Sequence, residues 1–354
     1  MANLPDFFGL NLGHDSIKLI QIKNEGSRAK ISSAFKMPTA TGLLENDSEE
    51  GVSTLSKEIG KAVKTSNVNT KNCVISVPEV SVFSRLITLP YLDEKDVNDA
   101  INYALKPLVP IPLENVNVSF LEINSFESEG KKMVNWYVVA APKQLIARLQ
   151  LVVETAGLTL LAVETEALAI ARMVQYNYSI MQDSDCLLVD MGADSTSLIL
   201  SRNGVVIFSQ NIGTGSDSFT KVIAADFGID NQLAEKYKVA YGINPNEGDG
   251  KIAKSIDPIM QIMISEVQRT INYYKDKVGG KGIQKIYLTG GGAHLNWLDK
   301  YMTEKFGIPS ELVNPIKNIV VDASANGVLN SATINSFNVS IGLALKGILW
   351  VIKA

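Results

Sequence analysis

One short phrase occurs twice in this chain, and that repetition constrains the fold more than any other feature. Leu10–Ser16 reads Leu-Asn-Leu-Gly-His-Asp-Ser, and Val189–Ser195 reads Val-Asp-Met-Gly-Ala-Asp-Ser. Each copy follows apolar residues and enters another apolar stretch, Ile17–Ile22 or Thr196–Leu200. Each therefore reads as strand, tight glycine turn, strand. Such a turn aims backbone N–H groups, and often a hydroxyl, at one point that suits a phosphate. Two such turns on two similar halves would hold a polyphosphate from both sides.

Within the turns, Asn11 and Asp190 stand two places before Gly13 and Gly192. A carboxylate there is suited to the water shell of Mg²⁺, which keeps several waters and takes only one or two carboxylates. The glycines allow close backbone approach. Ser16, Ser195 and Thr196 offer hydroxyls, and Lys18 offers a charge. His14 and Asp15 in the first turn, and Ala193 and Asp194 in the second, complete the expected phosphate loops. An ordinary hairpin explains either turn alone; duplication in matched contexts favours a ligand.

Leu288-Thr-Gly-Gly-Gly-Ala-His294 is the second signal. Gly290, Gly291 and Gly292 leave an apolar strand and enter a helix, which lets the chain lie flat against a planar ligand or phosphate. No Walker motif occurs. Glu266 and Arg269 share a helix face, where a carboxylate can accept from ribose hydroxyls and a guanidinium can stack on a purine. A solvated ion pair explains them equally. Glu164 and Glu166 precede a linking helix; a carboxylate there can order a water for attack on a γ-phosphate or simply favour the helix dipole. The two histidines, His14 and His294, lack a third ligand at metal spacing, and no covalent nucleophile is evident.

Along the chain, strands are expected at Phe7–Leu12, Ile17–Lys23, Lys30–Lys36 and Asn72–Val77, with a helix at Val52–Thr65. This is a mixed sheet with a crossover helix. Between Arg85 and Leu161 the texture changes to α-β-β-α, with strands at Val116–Ile123 and Met133–Ala141 and a second helix at Lys143–Ala156. This stretch reads as an inserted unit. The second half repeats the strand-turn-strand, then places helices at Thr214–Phe227, Leu233–Tyr241 and Pro258–Val278, a break at Gly279–Gly282, and a strand at Ile283–Thr289.

The 354 residues imply two lobes or more. A net charge of -4 and scattered basic residues argue against nucleic-acid binding. Cys73 and Cys186 lie in apolar runs and read as buried reduced thiols. The N-terminus has no signal-like core. The apolar Ile341–Ile352 is shorter than the roughly 18–20 residues of a spanning helix and reads as a core helix closing the first lobe. A cytoplasmic location is expected.

Together these residues resemble the actin-like ATPase superfamily, which includes actin, heat-shock chaperone ATPases, sugar kinases and FtsA. The two turns resemble its phosphate loops and Leu288–His294 its adenosine loop, and Glu164 falls on the segment that carries a water-positioning residue in several members. Val109-Pro-Ile-Pro-Leu-Glu114, Glu266–Tyr274 and Leu288–Ala293 narrow the resemblance to the PilM family of type IV pilus assembly proteins. The resemblance implies a duplicated ribonuclease H-type α/β fold. Its first lobe would be residues 1–84, 162–183 and 335–354, with a 1C-type insertion over 85–161. The second lobe would be 184–225 and 283–334, with an accessory subdomain over 226–282. It implies ATP and Mg²⁺ between the lobes, with Gly213 among the nucleotide contacts, Asp190 and Asn11 toward the metal, and Glu164 and Asp190 as catalytic residues. It also implies capture of the cytoplasmic N-terminal peptide of a PilN-like inner-membrane protein near the insertion, where Tyr91, Leu105 and Leu108 can line a groove. The chain would join the inner-membrane alignment complex and reach the membrane only through that partner, with a homodimer left open. The family carries an acid where this chain has Asn11, so ATP retention with slow or absent hydrolysis is expected. A small-molecule kinase on the same fold and an FtsA-like polymerising protein are the alternatives. The first would need a second pocket with a base, and the second a linker and amphipathic C-terminal helix.

Overall fold

The first five strand residues, Phe8–Leu12, are all buried and form the centre of a sheet. The computed structural model describes residues 4–25, 28–40, 42–44, 46–178, 184–278, 282–325, 327–331 and 333–349. Residues 279–281 of the break expected at 279–282, and the tail at 350–354, lie outside them. Strand β1 (Phe8–Leu12) pairs antiparallel with β2 (Ser16–Glu25), and β2 with β3 (Arg28–Pro38). Helix α1 (Glu49–Thr65) crosses over to β4 (Asn72–Val77), which runs parallel to β1. Ser48 caps α1, its hydroxyl accepting from Gly51 N at 3.0 Å, and Glu49 and Glu50 favour the positive end of the helix dipole.

The insertion opens with a strand, β5 (Phe83–Pro90), which the sequence reading missed. Helix α2 (Glu94–Leu105), β6 (Val116–Ser128) and β7 (Lys131–Pro142) follow. The three strands form a separate sheet in the order β5-β7-β6. Val97, Ile101 and Leu105 of α2 bury against Ile87 and Val138 of that sheet. Helix α3 (Lys143–Thr155), expected to belong to the insertion, packs elsewhere. Its Leu149, Val152 and Val153 lie in the core of the first sheet, and Ser56 Oγ of α1 donates to Val152 O at 3.0 Å. Strand β8 (Thr159–Thr165) then pairs parallel with β4, and α4 (Glu166–Tyr178) leads to the second half.

The second half repeats the first. Strands β9 (Asp185–Met191), β10 (Thr196–Arg202) and β11 (Val205–Ile212) form an antiparallel run. Helices α5 (Ser216–Phe227), α6 (Asn231–Tyr241) and α7 (Lys251–Tyr273) follow. Helix α7 begins before the expected Pro258, which lies inside it. Strand β12 (Ile283–Thr289) runs parallel to β9, and after α8 (Leu298–Phe306) the short β13 (Ser310–Leu312) pairs with β12. The order β11-β10-β9-β12-β13 reproduces β3-β2-β1-β4-β8, and the two-residue β14 (Val320–Val321) extends the first sheet beyond β3. The chain then returns to the first lobe as α9 (Asn338–Ala344), with Ile341 and Leu343 fully buried in a core shared with α4. Among the described residues, no helix is long and apolar enough to cross a membrane.

Candidate functional site

The repeated phrase becomes a repeated geometry. Gly13 N donates to Ser16 O at 2.9 Å between β1 and β2, and Gly192 N donates to Ser195 O at 2.9 Å between β9 and β10. A Cβ on Gly192 would lie 3.0 Å from Ser195 O, too close for a relaxed turn. Both turns open into one cleft of about 360 Å³, within the range of small-molecule sites.

Asn11, Gly13, His14, Asp15 and Lys18 line the cleft from the first lobe; Asp190, Gly192, Ala193, Asp194 and Ser195 line it from the second. Gly290, Gly291 and Gly292 close one side. Gly290 has φ +88° and a Cβ there would collide with Met191 O, so only glycine seats this loop on the end of β9.

Charge in the cleft is divided between the lobes. Across the β1–β2 ladder Asn11 faces Lys18, whereas across β9–β10 Asp190 faces Ser197. Lys18 is 8% exposed, and burial lowers its pKa against the pull of Asp15, Glu166 and Asp190. Burial pushes Asp190 up to about 6, with Lys18 opposing. Glu166, at the first turn of α4, is pushed up to about 8 by burial and by the charges of Asp190 and Glu79. Burial also acts to raise Asp15, but the Ser16 hydroxyl, Lys18 and Lys36 outweigh it and hold that carboxyl below its ordinary value. The cleft is thus short of positive charge from its own residues, apart from Lys18, Lys36 and Lys238.

Several expected contacts sit elsewhere. Glu164 does not line the cleft. It forms a bidentate pair with Arg172 at 2.8 and 2.9 Å and a second pair with Lys346, and these cations hold it below the usual carboxylate range despite burial. Its β8 position turns it toward α4 and the C-terminal helices, while Glu166, two residues on, faces the cleft. Glu266 and Arg269 pair with each other on α7, and Arg269 and Gly213 line a different cavity. Ser16 and Thr196 fasten the turns instead of facing the ligand space. Ser16 Oγ donates to Asp15 Oδ1 at 2.7 Å, and Thr196 Oγ1 donates to Thr214 O at 2.7 Å. His294 sits behind the glycine loop, 2.9 Å from Asn335 Nδ2, and burial lowers its pKa.

Glu235, Lys238, Asn335 and Asn338 are among the cleft residues that escaped the sequence reading. Glu235 and Lys238, one turn apart on α6, line it where Glu266 and Arg269 were expected. Lys238 Nζ pairs with Glu235 at 2.7 Å and donates to Ser216 Oγ at 2.6 Å and Thr220 Oγ1 at 2.9 Å, tying α6 to α5. The Glu-x-x-Lys spacing was readable, but α7 carries a Glu-x-x-Arg of the same form. Asn335 and Asn338 also line the cleft, and the Oδ1 atom of each is buried without a hydrogen-bond partner. Buried acceptors of this kind are costly unless a ligand donor reaches them.

A Mg²⁺–polyphosphate fits this chemistry. Among the described residues no three His, Cys, Asp or Glu side chains converge on a metal position. A lone Asp190 with the Asn11 amide suits an ion that keeps its waters and takes its remaining ligands from phosphates.

Two sheets of identical strand order, joined by a cleft with paired hairpin turns, define the actin-like ATPase fold. Solved structures share it. EutJ, an ethanolamine utilization protein from Carboxydothermus hydrogenoformans, matches at TM-score 0.54 and 16% identity, over 97% of this chain and 91% of that one. MreB5 of Spiroplasma citri bound to ADP matches at 0.54 and 13%, over 99% of each. A PilM–PilN type IV pilus biogenesis complex matches at 0.82 and 24%, over 98% of this chain and 99% of that one. Residues 9–348 match the family described as type IV pilus assembly protein PilM, and the chain belongs to that family. It is also 21% identical over 236 residues to the cell division protein FtsA of Rhizobium meliloti, covering 60% of this chain and 51% of FtsA. The chain spans about half the length of the curated relatives it matches.

Proposed function

We propose that this protein is a nucleotide-controlled scaffold of type IV pilus assembly. It holds Mg-ATP between its lobes and captures the N-terminal cytoplasmic peptide of a PilN-type inner-membrane partner. The observation that carries the nucleotide reading is the pair of opposed turns, with Lys18 on one side and Asp190 on the other. The N–H groups of His14–Asp15 and Ala193–Asp194 bind phosphate oxygens, and Lys18 neutralises part of their charge. Asp190 and Asn11 hold the hydrated metal, whose role is to offset phosphate charge. Gly290–Gly292, Glu235 and the orphaned Asn335 and Asn338 oxygens receive the nucleoside.

Turnover is slow on this reading. Asn11 brings no charge, and its amide oxygen is already approached by Ser76 Oγ at 3.5 Å. Glu164 is occupied by Arg172 and Lys346. Glu166 lines the cleft at the start of α4, yet burial and the charges of Asp190 and Glu79 push it up to about 8, which favours the protonated form near neutrality, a poor base.

Peptide capture is supported by family membership and by the surface of the insertion. Tyr91, Tyr103, Leu108, Phe120, Leu121 and Phe126 are exposed there, a concentration of apolar groups that marks interaction surfaces. Leu105, expected in the groove, is fully buried core. Attachment to the inner membrane is through the partner.

Calorimetric titration with ATP, with and without Mg²⁺, tests the nucleotide reading. Saturable, Mg²⁺-dependent binding is expected, with phosphate release far below the ~1–10³ s⁻¹ of ordinary enzymes. No binding, or rapid turnover, overturns it.

A further inference from the structure

Three parts of the molecule meet at one buried carboxylate, Glu79, which does not line the nucleotide cleft. It lies just beyond β4, is 4% exposed, and among the described residues has no cationic partner. Its Oε2 accepts from Ala167 N at 3.4 Å, at the start of α4 in the first lobe. Its Oε1 accepts from Ser84 Oγ of β5 in the insertion at 3.4 Å, and from Ser209 Oγ of β11 in the second lobe. Ser84 Oγ and Ser209 Oγ are 2.7 Å apart, and Tyr137 OH of β7 reaches Ser209 Oγ at 3.1 Å. The Glu79 backbone N–H, in turn, donates to Glu166 Oε2 at 3.4 Å, and Glu166 faces the cleft.

We infer that Glu79 is the relay through which nucleotide occupancy sets the position of the insertion against the second lobe. This rests on the nucleotide reading of the cleft. A ligand drawing Glu166 and β9 together shifts the Glu79 turn and the β11 edge relative to each other. One carboxylate bonded to both, and to Ser84, makes the insertion follow. Space for that movement exists: a cavity of about 560 Å³ lies beside the junction, with Phe83 and Arg85 on the insertion side and Phe208 and Tyr273 on the other. A purely structural role would not need an acid. Burying a carboxyl without a cation is costly, and an amide of the same shape would keep the packing. What the carboxylate alone provides is acceptance at both oxygens at once, from Ala167 N on one and from Ser209 Oγ on the other, with the Ser84 hydroxyl 2.7 Å from Ser209 Oγ. Packed junctions of this kind switch between discrete arrangements and do not deform continuously.

The test uses the full chain labelled at Tyr103→Cys on α2 and Glu304→Cys on α8, both exposed; native Cys73 and Cys186 are buried. Spin-label distances between insertion and second lobe are measured with and without Mg-ATP, alongside calorimetric affinity and thermal melting. In the parent, Mg-ATP shifts the distance distribution. Glu79→Gln binds Mg-ATP within about twofold of the parent and melts no lower, but its distribution no longer responds; a coupling of this type is worth roughly 5–150-fold. Ser209→Ala, which cuts only the second-lobe side of the junction, loses the response in the same way and serves where Glu79→Gln fails to fold. Overturning results are a shift in both variants equal to the parent's, or Mg-ATP binding by the parent without any shift. Failure of the parent to bind Mg-ATP overturns the nucleotide reading itself and the relay with it.

Discussion

Replacing Glu164 by glutamine separates a structural acid from a catalytic one. The carboxylate is 5% exposed, engages Arg172 through two bonds, and also pairs with Lys346; Arg172 Nη1 further donates to Gly342 O at 2.8 Å. The triad therefore ties β8, α4 and the C-terminal helices together. Glu164→Gln keeps the shape but leaves two cations facing a neutral amide, and breaking a buried pair this way costs roughly 3–5 kcal/mol. The amide oxygen still accepts one bond, so we expect the lower end, about 3 kcal/mol, which lowers Tm by roughly 4 °C for a chain of 354 residues. The pH dependence follows from the direction of the shift. The folded pKa lies below the ordinary 4.5, so the stabilisation is complete above about pH 4.5 and is lost as pH falls through the lower folded value. The gap between parent and variant in thermal melts should therefore be constant near neutrality and close under strongly acidic conditions. ATP affinity, by titration calorimetry, should change by less than about twofold. An unchanged Tm with abolished nucleotide binding or turnover would refute the placement of Glu164 outside the cleft.

Glu166→Gln should behave oppositely: with the carboxyl pushed up to about 8 against an ordinary 4.5, its stabilising contribution is complete below the ordinary value and lost as pH rises through about 8, so the nucleotide-free variant melts above the parent beyond pH 8 and level with it near 4.5. Lys18→Met removes charge-assisted bonds worth about 1.5–3 kcal/mol and should weaken Mg-ATP binding roughly ten- to a hundredfold by calorimetry. Asp190→Asn should leave ATP binding that no longer responds to added Mg²⁺, measured by titration in magnesium and in EDTA. Burial pushes both thiols, Cys73 and Cys186, up to about 12; Ellman's reagent should modify neither in the folded protein and both in urea.

The fold was legible because the chain states it twice. The β1–β2 and β9–β10 hairpins, α1, and β4 could be read from apolar runs and glycine turns, and most of the cleft lining from both turns followed, Ser16 and Thr196 excepted. What could not be read was decided by which face a side chain takes. Glu164 and Glu166 are two places apart at the end of β8, and only the direction of that strand's exit sends one to Arg172 and the other to the cleft. Helices α6 and α7 both carry an acid and a base one turn apart, and only their packing makes Glu235 and Lys238 the pair beside the glycine loop. Asn335 and Asn338 lie far along the chain in a region without motif, brought to the site by the return of α9 into the first lobe. Strand β5 was hidden because Leu-Pro at its end reads as a helix approach; α3 was read as a helix, but its apolar face gives no sign of which sheet it covers.

The matching strand orders have a further consequence. A scaffold built from two look-alike halves surrounds a guest that has no such symmetry, so the halves cannot be interchangeable. In one half Lys18 stands opposite Asn11, whereas in the other its counterpart Ser197 stands opposite Asp190. Exchanging Asn11 with Asp190 would restore the residue count yet put the acid directly opposite Lys18 on the neighbouring strand, where the two would satisfy each other and ignore the visitor.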